Sequence, residues 1–102
     1  MTNDIQAGSA AKLILTIDNP DGQLPELSSV ITKEIIVEFP DKTKKRYAAS
    51  FVTDGSDWKI YVIMPSDDNT QNDVHSLRAY LDYGDGLNYY SEPETFLVGK
   101  NP

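Results

Sequence analysis

An all-β fold, an antiparallel β-sandwich of about seven strands, is what this sequence of 102 residues predicts. Three observations predict it. Apolar residues recur with a period of two through most of the chain, turn-forming residues return roughly every eight to twelve positions, and no stretch shows the 3.6-residue period of a helix.

The stretch from Val52 to Met64, VTDGSDWKIYVIM, organises the rest. Asp54-Gly55-Ser56-Asp57 reverses the chain, because Gly55 tolerates positive φ and aspartates bond neighbouring amides. Beyond it, Trp58, Ile60, Val62 and Met64 share one side of a strand, with Lys59, Tyr61 and Ile63 on the other. Neither side is clearly polar, which predicts a strand inside a sheet or under a partner.

Taken in order, Met1 to Ala10 is small and polar, an arm over residues 1–9 that either lies along a neighbour or stays loose. The sandwich itself is expected over residues 10–98. Ala11 to Asp18 alternates, with Ala11, Leu13, Leu15 and Ile17 inward. Asn19 to Gly22 is a turn by composition, and Leu24 to Ser29 an irregular loop held by Leu24 and Leu27. Val30 to Phe39 is the second strand, with Ile31, Ile35, Val37 and Phe39 on one face. Helix is its rival, but β-branched density and the stop at Pro40 favour strand. Pro40 to Thr43 turns the chain into Lys44 to Phe51, which puts Tyr47, Ala49 and Phe51 inward and completes a hairpin. Pro65 to Asn72 is polar, has no apolar anchor and is expected to be the most mobile interior segment. Val74 to Tyr83 follows, with Leu77, Ala79, Leu81 and Tyr83 inward and Ser76, Arg78, Tyr80 and Asp82 outward. Gly84-Asp85-Gly86 closes a tight hairpin to Leu87–Ser91, and Glu92-Pro93 breaks that strand. Thr95 to Val98 is the last strand, with Phe96 and Val98 on one face, and residues 99–102 form a polar tail. This pattern matches the immunoglobulin-like class of sandwich, without its cysteine pair. Trp58 is the residue expected to fill the volume between the sheets in place of that pair.

Composition sets limits on function. Nine Lys+Arg against sixteen Asp+Glu give a formal charge of -7, which repels nucleic acid and anionic membranes. No apolar run is long enough to span a bilayer, and MTNDIQAGSA lacks the basic start and apolar stretch of a signal peptide. Absence of cysteine removes disulfides, thiolate metal sites and thiol nucleophiles together. The lone histidine, His75, reads as a surface or packing residue instead of a base. The aspartates at 54, 57, 67, 68, 73, 82 and 85 sit mostly in turns, and DDNTQND lacks the glycine and terminal glutamate of a calcium loop. Gly84-Asp85-Gly86 precedes no helix and so cradles no phosphate. No catalytic residue, metal site or cofactor is therefore expected. The basic run Lys42–Arg46 is expected to pair with carboxylates of the chain or a neighbour.

What remains is a set of outward aromatic and aliphatic residues. Ile36, Tyr61, Ile63, Tyr80 and Tyr90 point outward from several strands, some beside Arg78. Tyrosine with arginine is an interface composition. Three roles compete: a docking face for protein, a platform on which sugar rings stack, and tyrosines scattered singly over a small sandwich.

The segments DGSDWKIYVIM and HSLRAYLDYGDGLNYYSEPETFLV, with the opening AKLILTIDNPDGQLPELSS, carry a resemblance. They resemble the small immunoglobulin-like domain of tailed-phage structural proteins, including the amino-terminal domain of baseplate upper proteins. The matching positions are Asp54–Asp57, Lys59–Tyr61, Leu77–Tyr80, Tyr90–Pro93 and Phe96–Val98, so the likeness spans residues 10–98. Two positions depart from the pattern: Trp58 replaces a glycine or small residue, and Asp41-Lys42 replaces an Asp-Gly hairpin. The first departure gives Trp58 a second role, as a specialised contact. The resemblance implies a non-enzymatic virion protein, synthesised in the host cytoplasm. It would dock in many symmetry-related copies on capsid, neck, tail or baseplate proteins. The expected interface is Trp58, Tyr61, Arg78, Tyr80 and Tyr90, with the arm Thr2 to Ser9. The alternative function is a carbohydrate-binding module that holds a particle to the host cell surface.

Overall fold

Alternating side chains become nine strands among the described residues: β1 (Asp4–Gln6), β2 (Ala11–Thr16), β3 (Thr32–Glu38), β4 (Lys44–Ala48), β5 (Ser50–Phe51), β6 (Lys59–Met64), β7 (Asp73–Gly84), β8 (Leu87–Tyr90) and β9 (Glu94–Gly99). The computed structural model describes residues 4–6, 8–18, 22, 24–71 and 73–99. The strands form two sheets, an all-β, mostly antiparallel sandwich. The larger sheet runs β1-β9-β7-β3-β4, with β8 also on β7, and the smaller runs β2-β6-β5.

The core lies between them and follows the predicted parity. From the smaller sheet come Leu13, Leu15, Ile60, Val62 and Met64; from the larger come Ile35, Val37, Leu77, Ala79, Leu81, Phe96 and Val98. Each faces its counterparts because residues i and i+2 of a strand share a face. The strand β6 is the middle of its sheet, paired to β2 over Ala11–Thr16 and to β5 over Ser50–Phe51. Its placement inside a sheet was legible in its two-sided apolarity.

Two strands beyond the expected seven have distinct causes. The predicted strand Lys44–Phe51 is broken at Ala49: β4 pairs with β3 in the larger sheet, and β5 pairs with β6 in the smaller. Ala49 is buried at the crossing, and its amide is still bonded, to the Lys33 carbonyl at 3.0 Å. Continuous alternation in the sequence hides such a change of sheet, because both halves keep the same inward parity. The other addition is β1. Asp4–Gln6, placed by the sequence in a separate arm, pair in parallel with Leu97–Gly99 of β9. Thr2 and Asn3, the turn positions 19–21 and tail residues 100–102 lie outside the described residues.

The acidic turn forms as its residues dictate. The Asp54 carboxylate accepts from the Ser56 amide at 2.9 Å, and that of Asp57 accepts from the Lys59 amide at 3.1 Å. Gly55 has φ +93 and is buried, and a Cβ there would lie 3.2 Å from the Ser28 amide nitrogen. Neither its conformation nor its space suits another residue. Trp58 then departs from expectation: it precedes β6 with φ +57, in the left-handed region, and packs half-buried against the core. Lys42, in the β3–β4 turn, likewise holds a positive φ, +75. The β3–β4 hairpin nevertheless closes, with Lys42 N–H donating to the Phe39 carbonyl at 2.8 Å.

Three further expectations need correction. Ile31 is 71% exposed, because it precedes β3 and reaches over Gly84 of the β7–β8 hairpin instead of into the core. Residues 24–29 are not wholly irregular, since Leu27–Ser29 form a 3₁₀ turn that buries Leu27. The polar segment 65–72 lacks an apolar anchor but has polar ones. Ser66–Asp68 form a second 3₁₀ turn, and Asn69 is fully buried, its Nδ2 donating to the Ser9 carbonyl at 2.8 Å. The Asp68 carboxylate accepts from the Tyr47 hydroxyl at 2.9 Å and from Lys45 at 3.0 Å.

Candidate functional site

The outer face of the larger sheet assembles side chains in cross-strand rows, set by register. Glu34 stands between Ala48 of β4 and Tyr80 of β7, and Tyr80 is opposite Tyr90 of β8. One row along, Ile36 stands between Arg46 and Arg78, and in the next Glu38 stands between Lys44 and Ser76. These rows hold an ordered polar cluster. Arg46 Nε donates to the Glu34 carboxylate at 2.8 Å, and its guanidinium lies over the Tyr80 ring, 5.0 Å from the centroid. Tyr80 meets Tyr90 with centroids 4.9 Å apart and planes at 43°. Glu34, and then the Tyr90 hydroxyl, hold the Arg46 guanidinium protonated, raising its pKa above the usual arginine value.

A groove of about 640 Å³ opens beside this cluster. Its cause is a change of partner along β7. That strand pairs with β8 over Tyr80–Gly84 and with β9 over Asp73–Leu77, so Ser91-Glu92-Pro93 must step from one to the other. Pro93 has no amide to donate and stands off the ladder. Ser91 closes the junction: its amide donates to the Ala79 carbonyl at 3.0 Å, and its Oγ accepts from the Ala79 amide at 2.8 Å. The missing rung opposite Arg78 becomes the groove, with Ile36 in its lining and Tyr90, Pro93 and Thr95 along one side. Lys44, Arg46 and Arg78 line it against a single acid, Glu38. Three of the chain's nine basic residues thus gather on one groove, in a chain whose formal charge is -7.

Of the five interface residues expected from the sequence, Arg78, Tyr80 and Tyr90 come together here. Tyr61 does not: it lies on the outer face of the smaller sheet, opposite Ile14, with Lys12 Nζ 4.8 Å from its ring centroid. Trp58 sits at the turn and packs inward. The expected set was therefore three places, since a period of two assigns a face of a strand but not the sheet that owns it. Of the arm, the described residues Asp4–Gln6 are taken up by β9. Not singled out for the site were Glu34, Glu38 and Pro93, and Lys44 and Arg46 were read only as charges to be paired. Cross-strand register was the missing signal, because Arg46 meets Ile36 only once the hairpin turn is fixed at Asp41-Lys42.

His75 is a packing residue. It is fully buried, edge-on to Phe39 at 5.4 Å and beside Phe96 at 5.0 Å. Its Nδ1 lies 3.1 Å from the Asp73 carbonyl oxygen and so carries the proton there. Burial pushes its pKa below the usual histidine value, keeping the ring neutral. Among the described residues no group of three or more His, Asp or Glu side chains is placed to hold a metal ion. No helix among them is long and apolar enough to cross a membrane, which leaves β-barrels unaddressed. No protein-family model matches the chain, and no curated protein matches it.

Proposed function

We propose that the chain is a non-enzymatic docking module that binds another protein through the outer face of its larger sheet. The setting that the sequence resemblance implies is the virion of a tailed phage, with capsid, neck, tail or baseplate proteins as partners. One observation carries the docking role: the groove at the β8-to-β9 step, bordered by half-exposed Tyr90 and by Arg78 and Lys44, which form no ion pair among the described residues. Tyrosine and arginine around a recess supply contact area at low entropic cost, and a rigid sheet loses little freedom on docking. A particle offers many equivalent sites, so a modest interface per copy suffices. The non-enzymatic reading is in keeping with His75, the chain's one histidine, which is neutral and buried between two rings and so is ill suited to act as a base.

Carbohydrate binding has less support. A stacking platform needs an open ring face, and the two tyrosines best placed for one, Tyr61 and Tyr80, each carry a cation over the ring. The test is sedimentation of the purified protein with separated capsids and tails. Saturable binding to one of them, weakened by Tyr90→Ala and not by Tyr61→Ala, is expected. Failure to bind either particle part would sink the virion role, and binding to a glycan array that Tyr61→Ala or Tyr80→Ala abolishes would replace it with the sugar-binding one.

A further inference from the structure

The larger sheet's groove is opposite in sign to the chain that carries it, and the identity of its occupant follows from that. We infer that it receives an extended, carboxylate-bearing segment of the partner protein, with Arg78 and Lys44 as the recognising cations. This deepens the docking role proposed above and rests on it.

The three cations are not equivalent. Arg46 is already bonded to Glu34 and laid over Tyr80, so it is a fixed wall. Arg78 and Lys44 are exposed, and neither forms an ion pair among the described residues. Glu38, the one acid in the lining, has the Ser76 hydroxyl as its neighbour at 3.4 Å, a long contact that leaves both cations unneutralised. Arginine offers a carboxylate two parallel donors, and the sheet fixes the backbone from which Arg78 presents them.

Length and charge select the occupant. A nucleic acid or an anionic membrane would extend past the groove onto a surface bearing most of the sixteen acids, and would be repelled there. A short acidic segment meets only the local field. Ile36 stands beside Arg78 in one cross-strand row and Lys44 lies on β4 in the next, so Arg78 and Lys44 stand two strand spacings and one row apart, about 12 Å. The complement is a segment with an apolar side chain over Ile36 and carboxylates to either side, its chain resting against Tyr90 and Pro93.

The experiment is an amide NMR titration of the full chain with an end-capped peptide alternating Glu and Val, against the same peptide with Gln for Glu. The acidic peptide is expected to shift amides of Ile36, Ser76, Arg78 and Thr95, and raising NaCl from about 0.05 to 0.5 M should weaken it. Arg78→Glu is expected to lower its affinity about tenfold or more, with Arg78→Gln intermediate and Lys12→Glu, on the other sheet, without effect. Equal binding of the Gln peptide, shifts confined to β2 and β6, or no shift at about 5 mM peptide would overturn the assignment. Two results separate it from the virion role. Peptide binding in the groove without binding to capsids or tails leaves the carboxylate site standing and removes the virion partner. Particle binding that survives Arg78→Glu does the reverse.

Discussion

The two outer faces of the sandwich come from strands with the same alternating pattern, yet they present different surfaces. On the smaller sheet β2 and β6 run side by side through six registered pairs from Ala11↔Met64 to Thr16↔Lys59, and the outward residues Ile14, Tyr61 and Ile63 lie on an unbroken ladder with Lys12 over the tyrosine. On the larger sheet β7 exchanges β8 for β9 midway, and the ladder loses a rung. Tyrosine and cation are present on both faces; the recess is on one. The recess is made by an interruption of pairing, not by composition. Side chains line it, but Ser91 and Pro93 create it.

If one core supports both faces, the largest effects should come from beneath and be shared. Ile35→Ala under the larger sheet and Ile60→Ala under the smaller remove fully buried side chains, and each is expected to cost about 2–5 kcal/mol in urea unfolding. Both variants should unfold in one transition by fluorescence and by circular dichroism. Two transitions in either would show the sheets to be separable and would end the comparison as one of faces on a common core.

Next in size is the junction. Ser91→Ala leaves the buried Ala79 amide without the Oγ it donates to at 2.8 Å, an expected loss of about 1–3 kcal/mol. Because the serine shapes the step from β8 to β9, the variant should also disturb the amides of Arg78 and Thr95 while leaving Tyr61 and Ile63 untouched. Shifts spread equally over both sheets would mean that Ser91 is a general stability residue and not the maker of the recess.

These particulars separate what the sequence discloses from what it withholds. The inward sets of β2, β6, β7 and β9 were legible because burial on one face imposes a period of two. The switch at Ala49 was not, since a strand that crosses between sheets keeps its parity. Nor was the fastening of segment 65–72, where Asn69 and Asp68 do with hydrogen bonds what an apolar anchor would do elsewhere. The site was half legible for the same reason. Arg78, Tyr80 and Tyr90 were found because they are near in sequence on paired strands, whereas Glu34, Lys44 and Arg46 join them only through the register of β3 and β4.

Acid should distinguish the faces in another way. His75 lies under the larger sheet, neutral, with burial pushing its pKa down from the ordinary value. A histidine whose pKa is lower in the folded state binds a proton first when unfolded. Stability is therefore full above about pH 6.5 and falls as pH drops from there toward the folded value, by no more than about 1.4 kcal/mol per pH unit for one proton. Asp41, Asp54 and Asp68, whose pKa values are held below 3.8 by hydrogen bonds from Thr43, Ser56 and Lys45, lose their contributions only in a lower window, below that value. Urea midpoints measured from pH 7 to 5 should decline in the parent chain and stay level in His75→Leu. A decline that persists in the variant would place the acid-sensitive group elsewhere.

The smallest effect expected is at Trp58, and its sign pattern matters more than its size. At φ +57 a side chain with a Cβ is strained by about 1–2 kcal/mol, and glycine is free of that penalty. Trp58→Gly loses the contacts of a half-buried ring but relieves the backbone, so the two terms oppose and the net loss should stay under about 1 kcal/mol. Trp58→Ala loses the same contacts and relieves nothing. Glycine should therefore be the more stable of the two variants, inverting the usual order in which glycine is worse than alanine by about 0.5–1 kcal/mol in regular structure. Unfolding midpoints of the pair decide it. If the alanine variant is the more stable, the left-handed turn at Trp58 is not what joins the acidic loop to β6, and the smaller sheet begins one residue earlier than described above.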